Sequence, residues 1–248
     1  MSGIVYRNLL LAHLGEEDRR LLEPFEPMDV DLRFSIEKAG KPITHVHFPE
    51  SAVASVVLQS GSFNLAVEMG VTGLEGMTGL PLLYGDDRSA METFIQIPGR
   101  MSRITAKRFV AAIESSSTLK AFFPRYARTV HDQVASTATA NAAGAIELRL
   151  ARWLLMCQDR VGKEHIHLSH NFLAIMLGIR RASVTDAISR LEGRHLIRLL
   201  RMDFEILDRA RLQSLFRGRY GNTERGYERI MGFSLSTSQP QLSKPWPG

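Results

Sequence analysis

The stretch HIHLSHNFLAIMLGIRRASVTDAISRLEGRHLIRLLRMDFEILDRARL, residues 165–212, holds two short helical patterns with only Gly178, Ile179 and Arg180 between them. Ser169 precedes an apolar-periodic run and suits an N-cap. Phe172, Leu173, Ile175, Met176 and Leu177 make up the first helix, which stops at Gly178. The second, at about 181–193, turns Val184, Ile188 and Leu191 inward and leaves Arg181, Ala182, Thr185 and Asp186 outward. Two helices joined by a tight glycine-containing turn define a helix-turn-helix, whose second helix meets base edges in the major groove. Beyond it, the runs LIRLL and FEIL flank Arg201-Met202-Asp203 and read as a two-stranded wing. The wing places Arg198 and Arg201 beside a sugar-phosphate backbone, and Arg180, in the turn itself, is a further phosphate contact.

Charge points to the same segment. The 248-residue chain has a net charge of +5. Residues 176–229 hold twelve arginines, no lysine and seven acids, so this segment carries the whole excess; the remainder has nineteen basic and nineteen acidic residues. A local arginine surplus is the footprint of a phosphate-binding surface, with a solvated helical face as the other reading. No apolar run reaches the roughly 18 residues that cross a membrane, and the N-terminal stretch lacks the pattern of a secretion signal. The lone Cys157 excludes a disulfide framework within one chain and a cysteine-built metal site. A cytoplasmic protein with no membrane partner is expected.

Upstream, residues 7–24 read as one amphipathic helix. From about 27 to 105, short runs such as ITHVHF, AVASVVLQ and METFIQI alternate with turn sequences rich in Gly and Pro. That spacing predicts an antiparallel barrel or sandwich. Helical character returns with AKRFVAAIESS and then FPRYARTVHDQVASTATANAAG, where Pro124 suits a first-turn position. Tyr126, Val130, Val134 and Thr137 share one stripe with small neighbours. Such a stripe suits pairing with an identical helix, or packing on the helix's own domain. IELRLARWLLMCQDR, residues 146–160, is strongly amphipathic. His45 and His47 alternate on a probable strand, but histidines so placed are more often ordinary surface or core groups than metal ligands.

These segments together resemble the Crp/Fnr family of bacterial transcription regulators over roughly residues 5–213. The resemblance rests on IEKAGKPITHVHFPES, GLEGMTGLPLLYGDDRSA, IELRLARWLLMCQDR and LSHNFLAIMLGIRRASVTDAISRLEGRHLIR. It implies an α+β fold: an N-terminal cyclic-nucleotide-binding-like (cupin-like) antiparallel β-roll, a long dimerisation helix and a C-terminal winged helix-turn-helix. The expected divisions are 1–121 for the effector domain, 122–144 for the dimerisation helix, 145–220 for the DNA-binding domain and 221–248 for a partly disordered tail.

By the same resemblance, Arg181 matches a guanine-contacting arginine, a role suited to its bidentate geometry. Ala182 stands where the cyclic-AMP-responsive branch has glutamate, so the operator differs. Asp186 falls at a later arginine position, and either accepts from cytosine or pairs with an arginine. Ser169 and Ser183 match phosphate-contacting positions. Arg88 and Ser89 reproduce the pair that holds the cyclic phosphate in that branch. Its ribose-binding glutamate, however, is Met77 here, and methionine cannot accept that bond with useful strength. Val134 and Ala135 replace hydroxyl residues that touch the base. A cyclic nucleotide is therefore disfavoured, and the other reading of Arg88 is an ion pair with Asp86 or Asp87. The iron–sulfur branch needs four cysteines. The resemblance implies a homodimer that binds double-stranded DNA and works with RNA polymerase, activating or repressing, without catalytic residues, metal or cofactor. A cyclic-nucleotide-responsive signalling protein without DNA binding is the alternative, and the arginine-rich winged segment argues against it.

Overall fold

The computed structural model describes residues 6–60, 65–161, 165–168, 170–216 and 220–235. The chain opens with two short helices, α1 (Leu9–Ala12) and α2 (Glu16–Leu22), rather than one. Asn8 caps α1 by accepting from the Leu10 and Leu11 amides. Its own amide nitrogen donates to the carbonyls of Pro49 and Gly76, which fixes the helix on the domain behind it.

Seven strands follow: β1 (Glu26–Val30), β2 (Ser35–Glu37), β3 (His45–Pro49), β4 (Val53–Ser60), β5 (Leu65–Thr72), β6 (Glu92–Ile97) and β7 (Gly99–Thr105). They pair antiparallel in two sheets, ordered β1-β7-β3 and β2-β6-β4-β5, as the alternating runs predict. Val30, Ala52, Ala54, Ile95 and Met101 fill the space between them. A second apolar body gathers Val46, Phe48, Ile104, Phe109, Phe122 and Phe123 with the N-terminal helices.

Helices α3 (Ala106–Ser115) and α4 (Ser117–Ala143) come next. The Ser116 hydroxyl accepts from the Leu119 amide and starts α4 five residues before the expected position. Pro124 therefore sits inside the helix rather than in its first turn. At 1.5 Å per residue, these 27 residues span about 40 Å. Then come α5 (Ile146–Val161), β8 (His165–His167), α6 (His170–Leu177), α7 (Arg181–Gly193), β9 (Ile197–Leu200), β10 (Asp203–Ile206) and α8 (Arg209–Ser214). The wing is three-stranded, in the order β8-β10-β9, because the short His165–His167 segment pairs with Asp203–Glu205. Among the described residues no helix is long and apolar enough to cross a membrane.

The expected tail is structured as far as it is described. Asn222–Met231 forms α9, which lies along α4 and buries Tyr227 and Met231. The Tyr227 hydroxyl donates to the Glu75 carbonyl at 2.8 Å. Phe233 stacks on His13 with ring centroids 3.7 Å apart.

Helices α5 and α6 dock on the β4–β5–β6 sheet, so that Val53, Val57 and Val71 share one apolar body with Leu154, Leu173 and Met176. Polar groups lie inside this junction. The Trp153 Nε1–H donates to Glu68 Oε1 at 2.9 Å, and Gln96 Nε2 reaches Cys157 Sγ at 3.1 Å. Ser55 Oγ is 2.6 Å from Glu68 Oε2 and also touches Gln96 Oε1. The serine has one hydrogen to share among its neighbours, and Glu68 as a neutral acid can donate to it. Burial pushes the Glu68 pKa up to about 8, which keeps it in that form.

A carboxyl whose pKa is raised on folding stabilises the native state most below its unfolded value, near 4.3, and loses that contribution as pH climbs through its folded value. Glu68→Gln keeps the shape without the titration. Its melting temperature relative to the unsubstituted chain is expected to rise steadily from about pH 5 to about pH 8.5. Parallel curves across that range would show that Glu68 does not titrate in the junction.

Candidate nucleic-acid interface

The second helix of the pair, α7, owes its position to both neighbours. Val184, Ala187, Ile188 and Leu191 are buried, and they join Phe172, Leu173, Met176 and Leu177 of α6 and Leu150 and Leu154 of α5 in one apolar body. The turn into it needs Gly178, which sits at φ +59°, a left-handed conformation costly for other residues. The Ile179 amide returns to the Ala174 carbonyl and closes the first helix.

The face left to solvent carries Arg181, Ala182, Thr185, Asp186 and Ser189, with Arg180 just before it. No side chain caps α7, so the amides of its first turn remain open to an acceptor such as a phosphate oxygen. Arg180, Arg181 and Asp186 form no ion pair among the described residues, which leaves the arginine partner suggested for Asp186 unformed. Arg190 instead reaches Glu147 of α5 at 2.5 Å. Thr185 Oγ1 donates to the Arg181 carbonyl and lies 3.4 Å from His170 Nδ1. Ser183 is half-buried at the edge of this face, and Ser169 lies outside the described residues. Ser189 was missed by the sequence reading. Its spacing of four from Thr185 and eight from Arg181 places it on the same face, a signal the periodicity carried.

On the wing, Arg201 occupies the tip between β9 and β10 at φ +61°, fully exposed. Arg198 stands directly across from Glu205 and pairs with it at 3.2 Å. It is thus a partly neutralised cation, unlike Arg201.

The β-roll residues singled out above differ widely in exposure. Arg88 is exposed; its Nη1 donates to the Gly40 carbonyl at 2.8 Å and its Nε lies 3.5 Å from Asp87. Ser89 is buried, and its hydroxyl accepts from the Met91 amide. Met77 is 1% exposed, within the core that includes Phe48 and Tyr126. Tyr126 comes so close to Gly76 that a Cβ there would lie 2.0 Å from the tyrosine oxygen, and the hydroxyl donates to the Met77 carbonyl. His47 is also core: its amide donates to Thr78 Oγ1, and burial lowers its pKa to about 4, which keeps the ring neutral. Among the described residues no group of three or more His, Cys, Asp or Glu could hold a metal ion.

Of the stripe offered for pairing with a second copy or for packing on the helix's own domain, the N-terminal part lies against the chain's own body and the rest is half-buried. Tyr126 is 2% exposed, Val130 packs beside it, Val134 is half-buried, and Thr137 accepts from Arg152. The physical reason is that the larger side chains of α4 are needed to cover the β-roll.

Residues 148–215 match the family model of the Crp-like helix-turn-helix domain. The chain carries a Crp-like helix-turn-helix domain on a Crp/Fnr-type fold. The structure is similar to FixK2 from Bradyrhizobium japonicum, with a TM-score of 0.67 at 12% identity over 78% of this chain and 98% of that one. A Crp/Fnr-family transcriptional regulator of Thermus thermophilus gives 0.63 at 17% identity, over 78% and 100%. The c-di-GMP responsive global regulator CLP of Xanthomonas campestris gives 0.59 at 14%, over 76% and 97%. No curated protein matches the chain by sequence. In the Crp-like domain, α7 is the second helix of the pair, as the sequence predicts, and β9–β10 form the wing with β8 added to it.

The β-roll geometry has a direct consequence for stability. Met77→Ala is expected to cost about 2–5 kcal/mol in urea denaturation, as a buried methionine does. Arg88→Ala is expected to stay within about 0.5 kcal/mol, as exposed substitutions do. Equal effects would show that Arg88 is a structural keystone.

Proposed function

We propose that the chain is a sequence-specific DNA-binding transcription regulator that grips a palindromic operator as a homodimer, with α7 in the major groove. The observation that carries this reading is the exposed face of Arg181, Ala182, Thr185 and Asp186 at the open N-terminal turn of α7. Arg181 reads a guanine bidentately. Asp186, which forms no close ion pair among the described residues, accepts from a cytosine amino group. Arg180, Arg201 and the half-buried Ser183 supply phosphate contacts, and Arg198 does so after leaving Glu205. Ala182 offers only apolar contact, which suits a thymine methyl. RNA polymerase is the further partner, in the cytoplasm.

The second copy binds along the face of α4 that its own domain leaves bare. Ala121, Pro124, Arg128, His131, Ala135, Ala138 and Ala142 are exposed at alternating spacings of three and four, the repeat of a coiled-coil seam. The alanines let the two backbones approach closely. Cyclic nucleotides are a poor effector on this reading, since Met77, which stands where the resembling branch has its ribose-binding glutamate, is buried in the core and cannot accept that bond.

Two measurements bear on the proposal. Operators selected from random duplexes should be two-fold symmetric, with half-sites spaced by whole turns of about 34 Å. Arg181→Ala should then cost about 1–3 kcal/mol at one base pair of each half-site and leave the others alone. A uniform loss across all sequences would reduce Arg181 to a phosphate contact. Ala138→Glu places like charges across the seam. It should convert the dimer to monomer in analytical ultracentrifugation and abolish operator binding, and an unchanged dimer would move the interface elsewhere.

A further inference from the structure

A cavity of about 750 Å³ opens where α4 passes into α5, lined also by Leu215, Phe216 and the residues from Tyr220 to Glu224. Neither Met77 nor any residue of α7 lines it. Its size falls within the range that encloses small organic ligands. Its lining is mixed. Leu148, Leu215 and Phe216 supply apolar surface, and the ring of Phe216 lies 5.6 Å from that of Tyr220. Polar groups of α4, α5 and α9 complete it, among them Glu224 and Arg152, the latter four residues from Leu148 on α5.

The two arginines of the cavity are not equivalent. Arg149 is a strut: its Nε donates to Asn141 Oδ1 and its Nη2 to the Leu177 carbonyl, tying α4 to α6. Asp132 is likewise engaged, held by Arg128. Arg152 makes one hydrogen bond among the described residues, from Nη1 to Thr137 Oγ1 at 3.2 Å. A guanidinium has five N–H donors, so Arg152, which lines the cavity, keeps donors to spare for a ligand. Burial lowers its pKa, and the acid that counters this most is Glu224. A half-buried cation with spare donors, beside an apolar wall, is the recognition pattern for a carboxylate on an apolar body.

We propose that this cavity binds an amphipathic monocarboxylic acid, with its carboxylate on Arg152 and its apolar body against Leu148, Leu215 and Phe216. The ligand would touch α4 and the winged-helix segment at once, on either side of Gly144, and so fixes the angle between them. Its effect on operator affinity rests on the DNA-binding reading above; its binding does not.

Decanoate is a suitable probe, titrated into the full chain by calorimetry, with 1-decanol as the uncharged comparison. Saturable binding with one site per chain is expected, about tenfold weaker for decanol, which lacks the charge-assisted bond. Arg152→Gln should weaken decanoate by about tenfold, while Glu224→Gln should tighten it, since a like charge is removed. The opposite signs separate recognition from simple damage to the fold, because a destabilised cavity would lose affinity in both variants. No saturable binding, equal affinity of the Arg152 variant, or weaker binding by the Glu224 variant would each overturn the site. Decanoate binding without any duplex being selected would sink the DNA-binding reading and leave the site standing. Duplex selection without decanoate binding would do the reverse.

Discussion

Two acidic side chains at β5 and just beyond it, Glu68 neutral and Glu75 ion-paired, hold the two halves of the molecule together. Glu68 receives the indole N–H of Trp153, and Glu75, just past the strand, pairs with Arg160 at 2.8 Å with both side chains 4% exposed. Trp153 and Arg160 are seven residues apart, two turns along one face of α5. The strand and the helix thus meet at two polar points with Val71 and Leu154 among the apolar residues around them. Replacing such a pair by apolar residues is often harmless, whereas removing one partner strands a buried charge at a cost of about 3–5 kcal/mol. The arrangement fixes register more than it adds stability: a helix shifted by one residue would lose both bonds together. Everything beyond α5, including the orientation of α7, inherits its place from this contact.

The Glu75 backbone extends the same constraint. Its carbonyl takes the Tyr227 hydroxyl, so a single turn after β5 binds α5 by its side chain and α9 by its main chain. Gly73 and Gly76 flank that turn. Gly76 gives way to Tyr126 and Gly73 to Arg160, whose Cβ lies 2.8 Å from where a side chain would begin. The cost of this packing falls on the β-roll interior, where the tyrosine of α4 and Met77 occupy the core.

Much of this was legible in the residues, and the rest was hidden for identifiable reasons. The helix-turn-helix announced itself because its apolar period and Gly178 are local signals. The strands did so because Val, Ile and Phe alternate between clear turns. The third wing strand, His165–His167, is too short to show a period. Helix α9 has Tyr227 and Met231 at a spacing of four but little else apolar, and it holds because α4 offers it a surface. Tyr126, Val130, Val134 and Thr137 were correctly read as one stripe. Periodicity reports that a face is covered, though not by which body, and here the covering body is the chain itself. Arg88 and Ser89 kept a motif's letters while the guanidinium turned outward to Gly40.

The return of α9 gives the winged unit an unusual mechanical attachment. It leaves α4 through Gly144 and comes back to the same helix through Asn222–Met231, with Phe233 anchored on His13 near the other end of the chain. A body fastened at one point swings through a cone; one fastened at two points turns about the line that joins them. Once its contacts with β5 are released, the unit's freedom is close to a single rotation, like a door on two pins. The entropy released on undocking shrinks accordingly, and the effective concentration for redocking rises. Such a linkage favours sharp movement between a few orientations over diffuse wandering, because few directions are left in which to wander.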